Sequence, residues 1–330
     1  MKKIMIFMLA ALLAAGSLAA CNSSSAPSDA ASQSEEKAIH IVTTIFPEYD
    51  WVKSILGDNP AGAEITMLLD NGVDLHSYQP TAEDILKISG CDLFIYVGGE
   101  SDEWVEDALA QAENKDMKVI NLLETLGDNI KEEELVEGME GEEEEEGDEA
   151  EEEEGPEYDE HVWLSLRNAA AACRAIGDCI KTIDPENADY YEGNISGYIE
   201  ELNALDKEYA DAVKEGKTRT LLFADRFPFR YLTDDYGLEY YAAFIGCSAE
   251  TEASFETISF LSKKIDELSL KNVITIEGTD HSIAETVIKS TKTQDQKILT
   301  LDSMQSTTDK DAGYLEIMKK NLEVLKEALA

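Results

Sequence analysis

One pattern limits what this chain can fold into more than any other. From Ile39 onward, short runs rich in β-branched and aromatic residues alternate with segments of helical period: "IHIVTTI" then "PEYDWVKSIL", "AEITMLL" then "TAEDILKIS", "DLFIYV" then "DEWVEDALAQAE", and last "MKVINL". A βαβαβαβ order predicts a parallel sheet with helices on both faces. Past residue 216 the order recurs, with "RTLLFA", "LEYYAAF", "NVITIE" and "QKILTL" as strands and helices near 228–237, 254–269, 281–292 and 313–329. The predicted fold class is α/β, with two doubly wound lobes.

Between the two series lies "NADYYEGNISGYIEELNALDKEYADAVKEG", whose Tyr191, Ile195, Tyr198, Leu202, Leu205 and Tyr209 recur at alternating fours and threes. One seam of that length predicts a single helix of about 27 residues, about 40 Å long at 1.5 Å per residue. The expected organisation is an N-terminal lobe over 39–186, a spine helix over 187–216 and a C-terminal lobe over 217–330. A stiff spine shared by both lobes argues against a wide hinge.

The first residues set the compartment. "MKK" is a short basic region, "IMIFMLAALLAAGSLAA" is an apolar run ending in small residues, and Cys21 follows at once. Leu18-Ala19-Ala20-Cys21 matches a bacterial lipobox, so residues 1–20 are expected to be a lipoprotein signal peptide and Cys21 the acylated mature N-terminus. Residues 21–38, "CNSSSAPSDAASQSEEKA", have the composition of a flexible tether. A lipid anchor in the bilayer, on the extracytoplasmic face of the cell membrane, is the expected location. No later stretch is long and apolar enough to span a bilayer.

The formal net charge is −43, and the segment from Glu132 to Glu160 supplies 19 carboxylates and no base. Such a run cannot bury enough apolar surface to fold alone, so residues 131–160 read as a solvated loop. Removing those charges leaves about −24, so acidity belongs to the whole surface. Nucleic acid is excluded as a partner, because phosphate binding needs a basic face. A cation is the natural one. Cys91, Cys173, Cys179 and Cys247 show no CxxC spacing and do not support a thiolate zinc site.

In a doubly wound lobe, ligands bind where loops leave the carboxyl ends of the strands. His76 lies in "NGVDLHSYQPT", directly after "AEITMLL", and His161 lies in "DEHVWLSLRNA", between the acidic loop and the next helix. Asp225 follows "RTLLFA", Glu277 ends "NVITIE" and Asp302 follows "QKILTL". Imidazole and carboxylate are the donor types that suit divalent transition metals. Their common placement at strand ends points to one cleft.

"GVDLHSYQPTAEDILKISGCDLFIYVGGESDEW" resembles the GxDPHxYxPTPxDxxxLxxADLxxxxGxxLExW pattern of the zinc- and manganese-binding solute receptors of bacterial ABC importers. "DEHVWLSLRNA" resembles that family's DPHxWLDPxNA, and "VITIEGT" with "KILTLDSM" resembles its xxxEPQ and xxxLDPL ending. With the lipobox and the spine helix, the resemblance covers nearly the whole mature chain. It implies the metal-receptor type of periplasmic-binding-protein fold and a divalent ion held between two lobes. It also implies a monomeric receptor, not an enzyme, that delivers the ion to the membrane permease of an ABC importer.

The resemblance further implies one histidine ligand from each of the first two motifs and two more ligands from the C-terminal lobe. His76 and His161 carry over directly, and Asp302 stands where manganese-type members place an aspartate. The third motif departs: the family reads HxAFxYxxxxYGL, and "ADRFPFRYLTDDYGL" puts Arg226 at the ligand position. A guanidinium cannot bind a cation. The expected set is therefore His76, His161, Asp225 and Asp302, with Glu277 or His281 as alternatives for the third ligand.

Zinc receptors of the family often carry a long loop rich in His and acidic residues before the second histidine, and here that loop is all acid. It would raise the local cation concentration within a Debye length of about 8 Å. Zinc is the expected ion, with manganese or iron as the alternative. A reading from another class, a secreted metallohydrolase with Glu277 as base, lacks an HExxH or a Ser or Cys nucleophile motif.

Overall fold

The computed structural model describes residues 38–141, 157–246 and 252–330. The expected signal peptide, Cys21, the tether through Lys37, the middle of the acidic loop and Cys247 lie outside the described residues. The first sheet contains β1 (His40–Thr43), β2 (Glu64–Met67), β3 (Leu93–Tyr96) and β4 (Lys118–Asn121), all parallel, in the order β2-β1-β3-β4. Its helices are α1 (Phe46–Leu56), α2 (Ala82–Gly90), α3 (Trp104–Ala110), the short α4 (Leu122–Leu126) and α5 (Leu166–Ile183). Ile41, Leu93, Phe94 and Ile95 are fully buried. Strands covered on both faces have to be apolar at successive positions, which is why their sequences read as continuous runs.

The long α6 (Ala188–Glu215) leads to the second sheet. It contains β5 (Thr220–Phe227), β6 (Glu239–Ile245), β7 (Asn272–Ile276) and β8 (Lys297–Leu301), also parallel, in the order β6-β5-β7-β8. Its helices are α7 (Arg230–Tyr236), α8 (Phe255–Leu268), α9 (Ser282–Ser290) and α10 (Tyr314–Ala328). In both sheets the winding reverses beside the first strand. That reversal opens a crevice between the loops that follow β1 and β3, and another between those that follow β5 and β7.

All eight expected strands form, with one difference that touches the site. β5 runs three residues past "RTLLFA" to Phe227, and its pairing with β6 shifts register between Phe223 and Arg226. Asp225 and Arg226 therefore lie inside an irregular strand rather than in the loop after it. A bulge of this kind re-aims side chains at the end of a sheet.

The spine forms as one helix of 28 residues. Tyr191, Ile195, Leu202, Leu205 and Tyr209 on its seam are buried, and Tyr198 is partly buried with its hydroxyl 3.4 Å from Asp50 Oδ2. Contact with α5 is close at Gly177, where a Cβ would run into the Ile195 side chain. The C-terminal helix then ties the lobes together. Tyr314 at the start of α10 packs edge-on against Trp51 of α1, its backbone N–H donates to Asp50 Oδ2 at 3.0 Å, and its hydroxyl donates to the Trp163 carbonyl at 2.6 Å. Tyr209 of α6 donates to the Met318 carbonyl of α10 at 2.6 Å. All these groups are buried, and breaking any pair leaves an unsatisfied polar atom.

One buried carboxyl in the first lobe makes stability depend on pH. Glu48 in the first turn of α1 accepts from Thr44 N at 2.8 Å, Thr44 Oγ1 at 3.1 Å and Ile45 N at 3.3 Å through one oxygen. Burial, with the charge of Asp102 adding to it, raises its pKa to about 8. Between the ordinary carboxyl range and that value, the folded chain holds a proton that the unfolded chain has released. The stabilising contribution is complete below the unfolded pKa and is lost as pH rises through the folded one. Urea midpoints should therefore fall as pH rises from about 5 to about 8, and Glu48→Gln should flatten that slope. Parallel slopes for the two proteins would show that Glu48 is ionised throughout.

Candidate metal centre

His76 sits on a single 3-10 turn, Leu75–Ser77, after β2, and Asp74 caps that turn by accepting from His76 N at 3.1 Å. His161 precedes another 3-10 turn, Val162–Leu164, that leads into α5. The two rings meet with Nε2 to Nε2 at 3.1 Å and centroids 5.0 Å apart. Two nitrogens bound to one tetrahedral zinc at 2.0–2.1 Å are about 3.3 Å apart, so the observed separation is near that of two ligands on one ion.

Each ring is turned by a carboxylate from the two residues before His161. Asp159 Oδ1 accepts from His161 N at 2.8 Å and lies 3.0 Å from His161 Nδ1. Glu160 Oε2 lies 3.3 Å from His76 Nδ1, Ser101 Oγ lies 2.8 Å from the same nitrogen, and Ser101 N donates to Glu160 Oε1 at 2.9 Å. The Asp159 carboxylate only accepts, so His161 Nδ1 carries a proton and its Nε2 is left to face the centre, and the charge of Glu160 beside His76 Nδ1 favours the same tautomer there. For His76, burial lowers the pKa, but the hydrogen bond and charge of Glu160 with the charge of Asp74 outweigh it and the net shift is upward. A proton on His76 Nε2 would stand where a metal ion binds, so metal and proton compete for that nitrogen.

The loop after β3 makes room for this arrangement. Gly98 and Gly99 have φ of +91° and +86°, and a Cβ on Gly99 would collide with the Glu160 carboxylate. Only glycine takes such a backbone without strain. Replacing Asp159 by Asn or Glu160 by Gln should cost about 10- to 100-fold in metal affinity, because each frees one ring from its orienting partner. Chelator competition on the single variants measures this, and unchanged affinity in both would show that the rings need no such support.

On the opposite side, Gln305 is buried with Nε2 2.7 Å from His161 Nε2 and Oε1 3.0 Å from Ser303 Oγ. Trp163 Nε1 donates to the Ser303 carbonyl at 2.8 Å, which locks the loop after β8 beside His161. Tyr231 of α7 donates to the Asp159 carbonyl at 2.7 Å. Residues of both lobes thus converge on the two imidazoles.

The four residues expected as ligands are not all gathered there. The structure brings together His76 and His161, and among the described residues no three His, Cys, Asp or Glu side chains are grouped so as to hold a metal ion. Asp225 uses one oxygen to accept from Arg226 N at 2.9 Å and the other to accept from Ile276 N at 3.1 Å and Thr279 Oγ1 at 3.0 Å, which joins β5 to β7. Asp302 caps the following turn by accepting from Met304 N at 2.9 Å. Glu277 accepts from Ser303 N and Ser303 Oγ, each at 2.7 Å, and burial first, then the charge of Asp302, raises its pKa to about 7. His281 stands at the N-terminus of α9 with φ of 60°.

A cavity of about 590 Å³ beside the pair is lined from both lobes, by Asp74 and Ser77 on one side and Asp225, Arg226, Thr279 and His281 on the other. Arg226 reaches across it to Asp74 Oδ2 at 3.3 Å. The guanidinium thus holds the carboxylate that caps the His76 turn.

The ends of the acidic loop also differ from the expectation of a solvated segment over 131–160. Asp159 and Glu160 are each 3% exposed. Asp159 N donates to the Lys131 carbonyl and Glu133 N to the Glu157 carbonyl, so the ends pair with each other. Glu140 N donates to the Ala243 carbonyl of β6 at 2.8 Å. Free cysteines Cys91, Cys173 and Cys179 lie away from the pair as packing groups, the first two buried.

Two doubly wound lobes on one long helix, with imidazoles from separate loops meeting between them, define a solute receptor of the rigid-spine class. Residues 41–328 match the profile of the family described as zinc-uptake complex component A, periplasmic, and the chain belongs to that family. It is 32% identical over 313 residues to the high-affinity zinc uptake system protein ZnuA of Bacillus subtilis, covering 94% of this chain and 93% of that one. It is 31% identical over 294 residues to the zinc-binding lipoprotein AdcA of Streptococcus pneumoniae, covering 88% of this chain. The match spans about half, 55%, of AdcA's own length. Among solved structures, the Zn(II)-bound ZnuA-like domain of Streptococcus pneumoniae AdcA superposes with a TM-score of 0.68 at 28% identity, covering 88% of this chain and 99% of that one. Membership of a family of uptake components sets the chain among receptors rather than among metallohydrolases.

Proposed function

We propose that this protein captures zinc outside the cytoplasm between His76 and His161 and hands it to the membrane permease of an ABC importer, held at the bilayer by a lipid on Cys21. The observation that carries the reading is the meeting of two Nε2 atoms at 3.1 Å, with both Nδ1 atoms beside carboxylates. Imidazole is a donor that suits zinc, and the named functions of ZnuA and AdcA support that ion. The carbonyl oxygen of Gln305, the buried amide whose nitrogen here touches His161, is the third donor in this reading once the amide turns. Asp225, with both oxygens engaged, holds the sheet, and Asp302 is the carboxylate available for a fourth position from the turn after β8.

The cargo is tested by competition. Metal-free, untagged protein titrated with zinc and with manganese against a chelator should bind one zinc tightly per chain and manganese far more weakly. Tighter manganese than zinc would assign the chain to the manganese type, and no tight metal at all would remove the receptor reading.

A further inference from the structure

Behind the histidine pair runs a line of polar contacts from the second sheet. Glu277 Oε1 lies 2.7 Å from Ser303 Oγ, Ser303 Oγ lies 3.0 Å from Gln305 Oε1, and Gln305 Nε2 lies 2.7 Å from His161 Nε2. Ser303 and His161 are fully buried and Gln305 nearly so. A mismatch along this line therefore has to be resolved by the groups themselves.

A mismatch exists. Ser303 has one hydroxyl proton, and two acceptor oxygens face it. When Glu277 is ionised it takes that proton, because a hydrogen bond to a charged acceptor is the stronger one. The Gln305 carbonyl then confronts an oxygen lone pair. A half-turn of the amide relieves this by offering NH2 to Ser303 Oγ and bringing the carbonyl oxygen towards the imidazoles. The orientation seen here instead satisfies the His161 Nε2 lone pair with an amide N–H. A cation between the rings removes that need, since it takes the lone pair itself and attracts the carbonyl oxygen.

We infer that Gln305 is a two-position plug of the metal centre, nitrogen-inward without the ion and oxygen-inward with it, and that Glu277 acting through Ser303 favours the oxygen-inward position. The inference rests on the zinc reading of the His76–His161 pair. Glu277 is on this view a positioning residue and not a ligand. It raises zinc affinity by making the ligating form of the amide the better hydrogen-bonded one.

The test is a double-mutant cycle on the full chain, read by zinc titration against a chelator near pH 8, with side-chain amide NMR of Gln305 as second readout. Glu277→Gln hands the Ser303 proton back to the Gln305 carbonyl, and zinc affinity should fall about tenfold with one ion still bound. In a Ser303→Ala background the same substitution should have little further effect, because the link is already cut. In the wild-type protein, zinc should shift both the side-chain 15N and the carbonyl 13C signals of Gln305. Wild type without tight zinc would overturn the zinc reading itself. Tight zinc with an unmoved Gln305 carbonyl signal, or a Glu277→Gln loss undiminished in Ser303→Ala, would overturn this inference alone.

Discussion

His161→Ala should weaken zinc binding by about a hundredfold or more while the chain still folds. A structural zinc site of four ligands is worth about 10–16 kcal/mol, so one ligand accounts for roughly 2.5–4 kcal/mol, and each 1.4 kcal/mol is tenfold. His161 is fully buried with its ring 5.3 Å from that of Trp163, so its truncation leaves an enclosed gap where the donor stood. His76→Ala should cost a similar factor, because its Nε2 supplies the other half of the pair. His281→Ala should stay near wild type, since the ring lines the neighbouring cavity with Asp225 and Arg226. Chelator competition across the three variants gives the order. An affinity loss for His281→Ala larger than for His76→Ala would move the centre into that cavity.

The second large effect is expected at Trp163, two residues on. Its fully buried ring packs beside His161, its N–H donates to the Ser303 carbonyl, and its own carbonyl accepts from Tyr314. Trp163→Ala should destabilise the fold by about 3–5 kcal/mol, the usual cost of removing a buried indole. The loss should not be confined to stability. With the N–H gone, the turn that carries Ser303 and Gln305 is no longer fastened to the first lobe, and zinc affinity should fall too. Trp163→Phe, which keeps a ring but not the donor, should recover much of the stability and less of the affinity. Equal recovery of both would mean that the hydrogen bond to Ser303 does not hold the site.

Much of the fold is legible in the sequence because parallel strands buried on both faces need unbroken apolar runs, and "DLFIYV" or "NVITI" has few other uses. The end of β5 is not, because "DRF" carries two charges and its place in the sheet depends on the register shift against β6. His76 and His161 stand out through their spacing from the strands. Asp159 and Glu160 do not, since composition cannot separate two buried acids from a run of exposed ones in "EEEEGPEYDEH". The signal was their position directly before the histidine. Asp225 shows the opposite difficulty. Its carboxylate meets the backbone N–H of Ile276, 51 residues away, a pairing that only the closed sheet reveals. Gln305 is not legible either, because a neutral amide has neither charge nor imidazole to mark its place beside His161.

The claim that zinc is held by the two facing imidazoles is tested most directly by X-ray absorption at the zinc edge, on protein loaded with one equivalent. Two imidazole rings per zinc, with nitrogens at about 2.0 Å, are expected for the wild-type chain. Both ring signals should vanish in the His76→Ala, His161→Ala double variant. An imidazole count of zero in the wild type, or an unchanged count in the double variant, would place the ion elsewhere in the molecule.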